Sequence, residues 1–301
     1  MNNQLPVSIL PVPFDWGAGR RGAAAGPEAV LHAGVIRRLQ QLGYRVQLRS
    51  EDCLPNTSAD RRTAMQLKHW GRVLTINEAI AQEVRSIAAE GLFPLTIGGD
   101  HSIALGTIAG AAASRKRLGV IWIDAHGDLN TPETTPSGNI HGMSLAAAIG
   151  LGDSRFTGIG GYSPKLAPER IVLVGARELD DGEKKRIREL NITCFTMHEI
   201  DRYGMGHVME EAIRIASADA DGVHVSFDID SVDPGEAPGT GTPVRGGLNY
   251  REAHLAMEML HEAGVVTSAD VVEVNPLLDN GQRTARLAVE LIASLAGERI
   301  L

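Results

Sequence analysis

Three short runs of the sequence combine acidic residues with a histidine or with a second acid. They are Gly98-Gly99-Asp100-His101-Ser102, Asp124-Ala125-His126-Gly127-Asp128 and Asp228-Ile229-Asp230. Each run follows a short apolar segment typical of a buried strand. The first run alone is equally typical of a turn with a helix cap, and the third alone is a common loop ending. Together, at three strand ends, they favour a metal site because carboxylates and imidazoles bind metal ions.

The spacing of these residues brings several acidic side chains together, which requires a positive counter-charge. In Asp124-x-His126-x-Asp128 and in Asp228-x-Asp230 a polar residue recurs at every second position, so in extended chain their side chains project the same way. Four carboxylates in one crevice repel one another, and burying each without a partner costs several kcal/mol. Two divalent cations would balance them. Mixed carboxylate and imidazole ligands suit Mn²⁺, with Fe, Co or Zn as competitors.

The elements that must position these residues alternate between strand and helix. The predicted strands are Val7–Val12, Val46–Leu48, Leu95–Ile97, Val120–Asp124, Ile171–Val174, Thr193–Thr196, Val223–Asp228 and Val271–Val274. The predicted helices are Pro27–Leu42, Arg72–Ala89, Ile103–Ala113, Gly182–Leu190, Met205–Ala216, Tyr250–His261 and Thr284–Leu295. This alternation predicts an α/β fold with a mostly parallel, eight-stranded sheet covered by helices on both faces. Ligands bind such sheets beyond the carboxyl ends of the strands.

Composition excludes several classes of protein. The chain has 301 residues, is 43% hydrophobic and carries a formal net charge of -8, so neither nucleic acid nor an acidic membrane surface is an expected partner. Cys53 and Cys194 are too few for a disulfide framework or a thiolate zinc site. The sequence has neither a signal peptide nor a membrane-spanning run, so a cytoplasmic location is expected.

Longer motifs carry a resemblance to a known family. GGDHS, DAHGD and SFDIDSVDP followed by PGTGTP resemble the signature motifs of the ureohydrolase (arginase and agmatinase) family. The resemblance extends from Gly17 to Pro276. It implies one domain over residues 1–301, with the three-layer fold of arginases and deacetylases, and two Mn²⁺ ions per subunit. It places His101, Asp124, Asp128 and Asp228 on one metal and His126, Asp124, Asp228 and Asp230 on the other.

The resemblance also implies the reaction. Two metals sharing one water lower its pKa and supply hydroxide near neutral pH, and this hydroxide attacks the guanidinium carbon. Asp128 would orient the hydroxide, and His141 would carry the proton to the departing amine. Glu273 would pair with the guanidinium, and Thr242 would support that glutamate and the substrate nitrogens.

The far end of the substrate divides the family. The segment from Asp128 to Asn139 resembles the arginase version of this loop, which implies hydrolysis of L-arginine to L-ornithine and urea. Its neutral donors suit an α-carboxylate, and an acid suits the α-ammonium. The candidate substrate-binding residues are Asn130, Thr135, Ser137, Asp180, Glu183 and Thr242. A turn role for the hydroxyls of this loop and of Thr242 stays open.

Three further expectations follow from the resemblance. The alternatives to an arginase are another amidinohydrolase, acting on agmatine or guanidinobutyrate, and a non-catalytic metal-binding homologue. Ser144, where proline is usual in the family, and Arg245 depart from the pattern, and neither is expected to touch a ligand residue. A homotrimer or homohexamer is the expected assembly.

Overall fold

The computed structural model describes residues 5–55 and 67–301, and these residues form eight strands and eleven helices. The strands are β1 (Val7–Pro11), β2 (Val46–Leu48), β3 (Phe93–Ile97), β4 (Leu118–Ile123), β5 (Ile171–Ala176), β6 (Thr193–Thr196), β7 (Gly222–Asp228) and β8 (Val266–Val272). The helices are α1 (Gly26–His32), α2 (Val35–Gln41), α3 (Trp70–Ala89), α4 (Ala104–Ala113), α5 (Ser144–Ala148), α6 (Ser154–Thr157), α7 (Asp181–Glu189), α8 (Met197–Tyr203), α9 (Met205–Ser217), α10 (Tyr250–Ala263) and α11 (Arg283–Leu295).

All eight strands join one sheet, in the order β2-β1-β3-β8-β7-β4-β5-β6. Every pairing between neighbouring strands is parallel. The inner strand β4 is buried along its whole length, whereas the edge strands β2 and β6 are only partly covered. Continuous apolar strands of this kind need cover on both faces. The predicted eight-stranded α/β sheet is confirmed.

The helices cover both faces of the sheet. One hydrophobic cluster joins a face of the sheet to α1, α2, α9, α10 and α11. The other cluster joins the opposite face to α3, α4, α5 and the short α6. The result is the expected three-layer arrangement, in which alternate residues of the inner strands β4 and β5 contribute to different clusters.

Two predicted elements differ from the structure by more than a residue or two at their ends. The helix expected over Pro27–Leu42 is two helices, because Gly34 between them adopts a left-handed φ of 102° that ends one and begins the next. The strand expected over Val271–Val274 begins five residues earlier, at Val266, and ends at Val272. Thr267, Ser268 and Asp270 concealed it, because they interrupt the apolar run with polar side chains.

Other features complete the fold. Helix α8 was not predicted, although Thr196 and Glu199 form a capping box at its start. Both cysteines lie in the described residues and are unpaired thiols. No helix among residues 5–55 and 67–301 is long and apolar enough to span a membrane.

Candidate active site

Four adjacent strands, β3, β8, β7 and β4, deliver polar residues at their carboxyl ends. The turn after β3 carries His101, which is 1% exposed. Gly99 makes this turn feasible, because a Cβ there would lie 1.7 Å from the carbonyl oxygen of Phe14. Asp100 begins the following short 3₁₀ turn by accepting the backbone N–H of Ser102. The sequence thus places the imidazole ring of His101 at the centre of the sheet edge.

The first acidic group surrounds His101. Its Nδ1 lies 3.0 Å from Asp124 Oδ2, 3.1 Å from Asp228 Oδ2 and 3.2 Å from Asp128 Oδ2. The ring stacks on Trp122 at a centroid distance of 4.2 Å, and Trp122 also donates to Asp124 Oδ2. His101, Asp124 and Asp228 offer ligand atoms close enough together to hold one metal ion.

The second group forms around His126. Its Nδ1 lies 3.3 Å from Asp124 Oδ1 and 3.2 Å from Asp230 Oδ2. Asp124, His126 and Asp230 form another set able to hold a metal ion. Asp124 belongs to both sets through its two oxygens. Asp228 Oδ1 accepts the backbone N–H of Asp230, so a bridging role for Asp228 stays a prediction.

The electrostatics of the cluster fit cations. Burial raises the pKa of Asp228 and of Asp128 well above the usual range, and neighbouring carboxylates raise both further. Burial lowers the pKa of His101, but Asp124 and Asp228 outweigh burial and hold it well above its usual value. His101 Nδ1 is buried and forms no hydrogen bond of acceptable geometry, although three carboxylate oxygens face it. An imidazole nitrogen surrounded by several carboxylate oxygens is a set of ligand atoms that suits a divalent cation.

The local backbone differs from the extended chain that the sequence predicted. Asp230 lies in a 3₁₀ turn that starts after Asp228, and Asp128 adopts a left-handed φ of 50°. The side chains therefore converge through tight turns rather than through the two-residue period of a strand. Aspartate tolerates a left-handed conformation better than most residues do.

His141 and Glu273 form a pair beside the cluster. His141 Nδ1 lies 3.1 Å from Glu273 Oε1, which also accepts the backbone N–H of His101. Burial lowers the pKa of His141, but the Glu273 carboxylate outweighs it and raises this pKa to about 9. Glu273 lies just beyond β8, with a left-handed φ of 64°. Strained backbone of this kind is common where a side chain must be aimed into a site.

A cavity of about 140 Å³ joins the cluster to the loop after β4. Its lining brings together most of the predicted site residues: His126, Asp128, Asn130, Thr135, Ser137, His141, Asp180, Glu183, Asp228 and Thr242. A larger cavity of about 350 Å³ lies at the opposite edge of the sheet, but apolar side chains dominate its lining. The smaller cavity is therefore the place for polar chemistry.

The outer wall of this cavity is built around α7. Asn130 Nδ2 donates to Asp180 Oδ2 at 2.7 Å, and Thr134 donates to Asn130 Oδ1. Asp180 caps α7 in a capping box with Glu183, whose other oxygen accepts the N–H of Leu129. Glu183 thus ties the loop after β4 to α7, and its predicted contribution to substrate binding stays a prediction.

The hydroxyl groups near the cavity make local contacts. Thr135 accepts the N–H groups of Ser137 and Gly138, and Ser137 accepts that of Asn139. These hydroxyl protons stay available to a ligand. Thr242 donates to Asp230 Oδ2 at 2.8 Å, and its support of Glu273 and of the substrate nitrogens stays a prediction.

Ser144 and Arg245 were expected to touch no ligand residue. For Ser144 this is wrong, because its buried hydroxyl donates to the carbonyl oxygen of His101 and lies 3.2 Å from that of His141. The chain reversal that starts α5 brings these two loops together, which no local pattern predicts. Arg245 is exposed.

Other residues that sequence reasoning missed lie behind the cluster. Ser226 contacts His101, and Asp270 and His224 follow behind it. Polar residues at every second position of β7 and β8 were the available signal. Asp100 accepts the N–H groups of Gly17 and Ala18, and the carbonyl of Gly17 in turn accepts the N–H of His141.

These features define a class: α/β proteins that can hold metal ions at the carboxyl edge of a parallel sheet. Within it, the chain belongs to the arginase family, whose model matches residues 5–297. The family is metal-dependent, and the two ligand groups agree with this.

Individual relatives support the assignment. An arginase from Bacillus caldovelox is 54% identical over 98% of this chain and 99% of its own length, and one from Bacillus subtilis is 51% identical over the same shares. A solved structure of the Bacillus caldovelox arginase superposes with a TM-score of 0.95 at 53% identity, covering 99% of this chain and 100% of the other.

Proposed function

We propose that this protein is an arginase that hydrolyses L-arginine to L-ornithine and urea. The observation that carries the proposal is the small cavity, which has the acidic and histidine cluster at one end and Asn130 with Asp180 at the other. This arrangement suits a substrate with a guanidinium at one end and an amino acid group at the other. The curated relatives named arginase, at about half identity over nearly the whole chain, support the same activity.

The cluster would hold two divalent cations, with Mn²⁺ the best match and Fe, Co or Zn as competitors. His101, Asp124, Asp128 and Asp228 would hold one ion. His126, Asp124, Asp228 and Asp230 would hold the other. When bound, the two ions would lower the pKa of a shared water and so supply hydroxide near neutral pH.

The chain's own residues would orient the reactants. Asp128, 3.2 Å from His101 Nδ1 and at the wall of the cavity, is placed to accept a hydrogen bond from the attacking oxygen. Glu273 uses Oε1 for His101 and His141, while Oε2 lies close to Gly241, the residue before the cavity-lining Thr242, and would accept a guanidinium N–H. His141 would donate the proton that the departing amine needs, because an amide anion is too basic to leave.

The outer wall would recognise the α-carbon end of arginine. The amide nitrogen of Asn130 carries two protons, and Asp180 takes one of them, so the other stays available to the α-carboxylate. Thr135 and Ser137 keep their hydroxyl protons for the same group. Asp180 would attract the α-ammonium, directly or through water.

The decisive test is a kinetic panel. Urea release from L-arginine, agmatine and guanidinobutyrate would be measured with Mn²⁺-loaded wild-type protein. We expect kcat/KM for arginine to exceed that for agmatine by roughly 10⁴, because a site built to bind a polar group rejects an analogue that lacks it. Preference for agmatine or guanidinobutyrate would contradict the arginase assignment, and no turnover of any would contradict catalysis.

Assembly and location extend this proposal. We expect a homotrimer or homohexamer in the cytoplasm, with L-arginine as the small-molecule substrate and no nucleic-acid or membrane partner. Light scattering at micromolar concentration measures the assembly, and a monomeric mass would contradict it.

A further inference from the structure

A ladder of polar side chains lies inside the sheet directly behind His101. The parallel pairing of β7 with β8 sets His224 opposite Ser268 and Ser226 opposite Asp270. All four side chains are at most 2% exposed. An ionised carboxylate at such a depth costs several kcal/mol unless hydrogen bonds compensate it. The burial of Asp270 is compensated by hydrogen bonds, because Ser226 contacts Oδ1 and both His224 and Thr107 contact Oδ2.

The hydrogen bonds of this ladder have a direction. Ser226 Oγ donates its only proton to Asp270 Oδ1 at 2.6 Å. The Ser226 oxygen can therefore only accept a hydrogen bond from His101 Nε2, which lies 2.8 Å away. His101 must therefore carry its proton on Nε2 and keep Nδ1 as a lone-pair donor. Nδ1 is the nitrogen that faces Asp124, Asp128 and Asp228.

Among residues 5–55 and 67–301, no other neighbour of His101 selects this tautomer in the same way. Trp122 stacks on the ring with an interplanar angle of 7°, which fixes the plane of the imidazole but is indifferent to which nitrogen is protonated. The carboxylate oxygens that lie 3.0–3.2 Å from Nδ1 would accept a hydrogen bond from a protonated Nδ1, and a protonated nitrogen cannot bind a metal. Of the contacts that the described part of the chain makes with His101, only the one at Nε2 favours the opposite tautomer.

The second ligand histidine lacks comparable support. His126 Nε2 lies 3.7 Å from Glu178 Oε2, and the side chain of Glu178 is 66% exposed. Solvent screens a contact of this kind, so its contribution is small. The two candidate metal positions therefore differ in the contacts that support the second ring nitrogen of their histidines.

We propose that Ser226 and Asp270 are positioning residues that hold His101 in its metal-binding tautomer and so set the affinity of one of the two metal positions. The inference rests on the proposed function, because it assumes a metal ion at His101. Hydrogen-bond partners behind a ligand histidine typically contribute 10–100-fold in metal affinity.

The experiment compares two serines of the same ladder. Ser226→Ala removes the hydroxyl that contacts His101, whereas Ser268→Ala removes an equally buried hydroxyl that contacts His224 Nδ1 instead. Metal-depleted full-length protein would be titrated with Mn²⁺, and free Mn²⁺ would be followed by electron paramagnetic resonance. We expect Ser226→Ala to weaken one of two equivalents by roughly 10–100-fold and Ser268→Ala to leave both unchanged.

A double mutant tests whether the effect passes through His101. In a His101→Asn background, Ser226→Ala should have no further effect on the remaining equivalent. Asp270→Asn keeps the side-chain volume and should weaken the same equivalent, which provides a second test if Ser226→Ala does not fold. Circular dichroism of the metal-free variants verifies folding before titration.

The outcomes separate this inference from the proposed function. Equal weakening by Ser226→Ala and Ser268→Ala, or no weakening by Ser226→Ala, would overturn the positioning role. If the wild type binds a single equivalent, the dinuclear proposal fails, while the difference between the two serine variants still decides the role of Ser226. A wild type that binds no Mn²⁺ would overturn both.

Discussion

His141 is the residue proposed to donate the proton that the departing amine needs. Replacement by asparagine keeps a polar side chain but removes the titratable group. We expect His141→Asn to lower kcat by roughly 10²–10⁴-fold, the usual contribution of general acid–base catalysis. Metal content, measured by elemental analysis, should stay at the wild-type value. Loss of metal from this variant would instead make His141 a ligand.

The charge of Glu273 sets the pH range over which His141 loses its proton. This carboxylate raises the pKa of His141 to about 9, and the protonated ring is the form that donates. In Glu273→Gln the pKa of His141 should fall toward its usual value. The alkaline limb of the kcat–pH profile should therefore move to lower pH, whatever the height of the profile. A limb that stays in place would show that His141 titrates independently of Glu273.

Asp180 allows a matched test of substrate recognition. Asp180→Asn removes the charge proposed to attract the α-ammonium and keeps an acceptor for Asn130. Because this side chain is partly screened by solvent, we expect kcat/KM for arginine to fall by roughly tenfold, at the low end for a charged hydrogen bond. Agmatine, which lacks that ammonium, should be affected far less.

The control for this test is the next residue along the chain. Asp181→Asn makes the same chemical change on a fully exposed side chain whose contact is with Lys184. It should alter neither substrate's kinetics. Asn130→Asp would be a poorer test, because it would set a second carboxylate against Asp180. Equal effects of Asp180→Asn on arginine and agmatine would mean that Asp180 only caps α7.

At the scale of elements, Ser144 connects the start of α5 to the two loops that carry His101 and His141. Its hydroxyl donates to the carbonyl oxygen of His101 and lies near that of His141. Both carbonyls also accept a backbone N–H, so Ser144→Ala removes one hydrogen bond without leaving an unpaired acceptor. We expect a loss of about 1 kcal/mol in unfolding free energy, or roughly 2 °C in melting temperature.

A matched control exists at the start of the next helix. Ser154 is also the first residue of a helix, α6, but it is exposed. Ser154→Ala should leave the melting temperature unchanged in the same thermal scan. A comparable loss in both variants would mean that Ser144 contributes only through helix propensity.

At the scale of the whole molecule, the metal cluster links function to stability. Burial and neighbouring carboxylates raise the pKa of Asp128 and Asp228, and carboxylate partners raise that of His126 against the effect of burial. Groups with a raised pKa in the folded state bind more protons folded than unfolded, so their contribution to stability falls as the pH rises. The pKa of Asp124 is lowered, but its ordinary value already lies well below about pH 6, so its contribution to stability is the same at about pH 6 and about pH 9.

Metal removal should therefore destabilise the protein most at high pH. An ion present at 100 times its dissociation constant stabilises the folded state by about 2.7 kcal/mol. We expect chelation to lower the melting temperature and abolish urea release, with a larger loss of stability at about pH 9 than at about pH 6. Added Mn²⁺ should restore both properties. A melting temperature independent of chelator would contradict metal binding by this cluster.

The sequence by itself determined the class of fold and the identity of most of the pocket residues. Apolar runs separated by amphipathic segments predicted eight strands, because a buried parallel strand must be apolar on both faces. The acidic motifs directly after β3, β4 and β7 were read correctly as neighbours, because parallel strands end at the same edge. The resemblance supplied the remaining candidates, and the cavity brings most of them together.

Only the tertiary structure decided which side chains pair across the sheet. The contacts of Ser226 with His101, of His141 with Glu273 and of Ser144 with the His101 loop join residues 125, 132 and 43 positions apart. A local sequence pattern does not show which residues of two distant strands lie opposite each other, so these pairs cannot be predicted from composition or periodicity. Polar residues inside β8 hid its true start for the same reason: they face a buried partner on β7 that the sequence does not reveal.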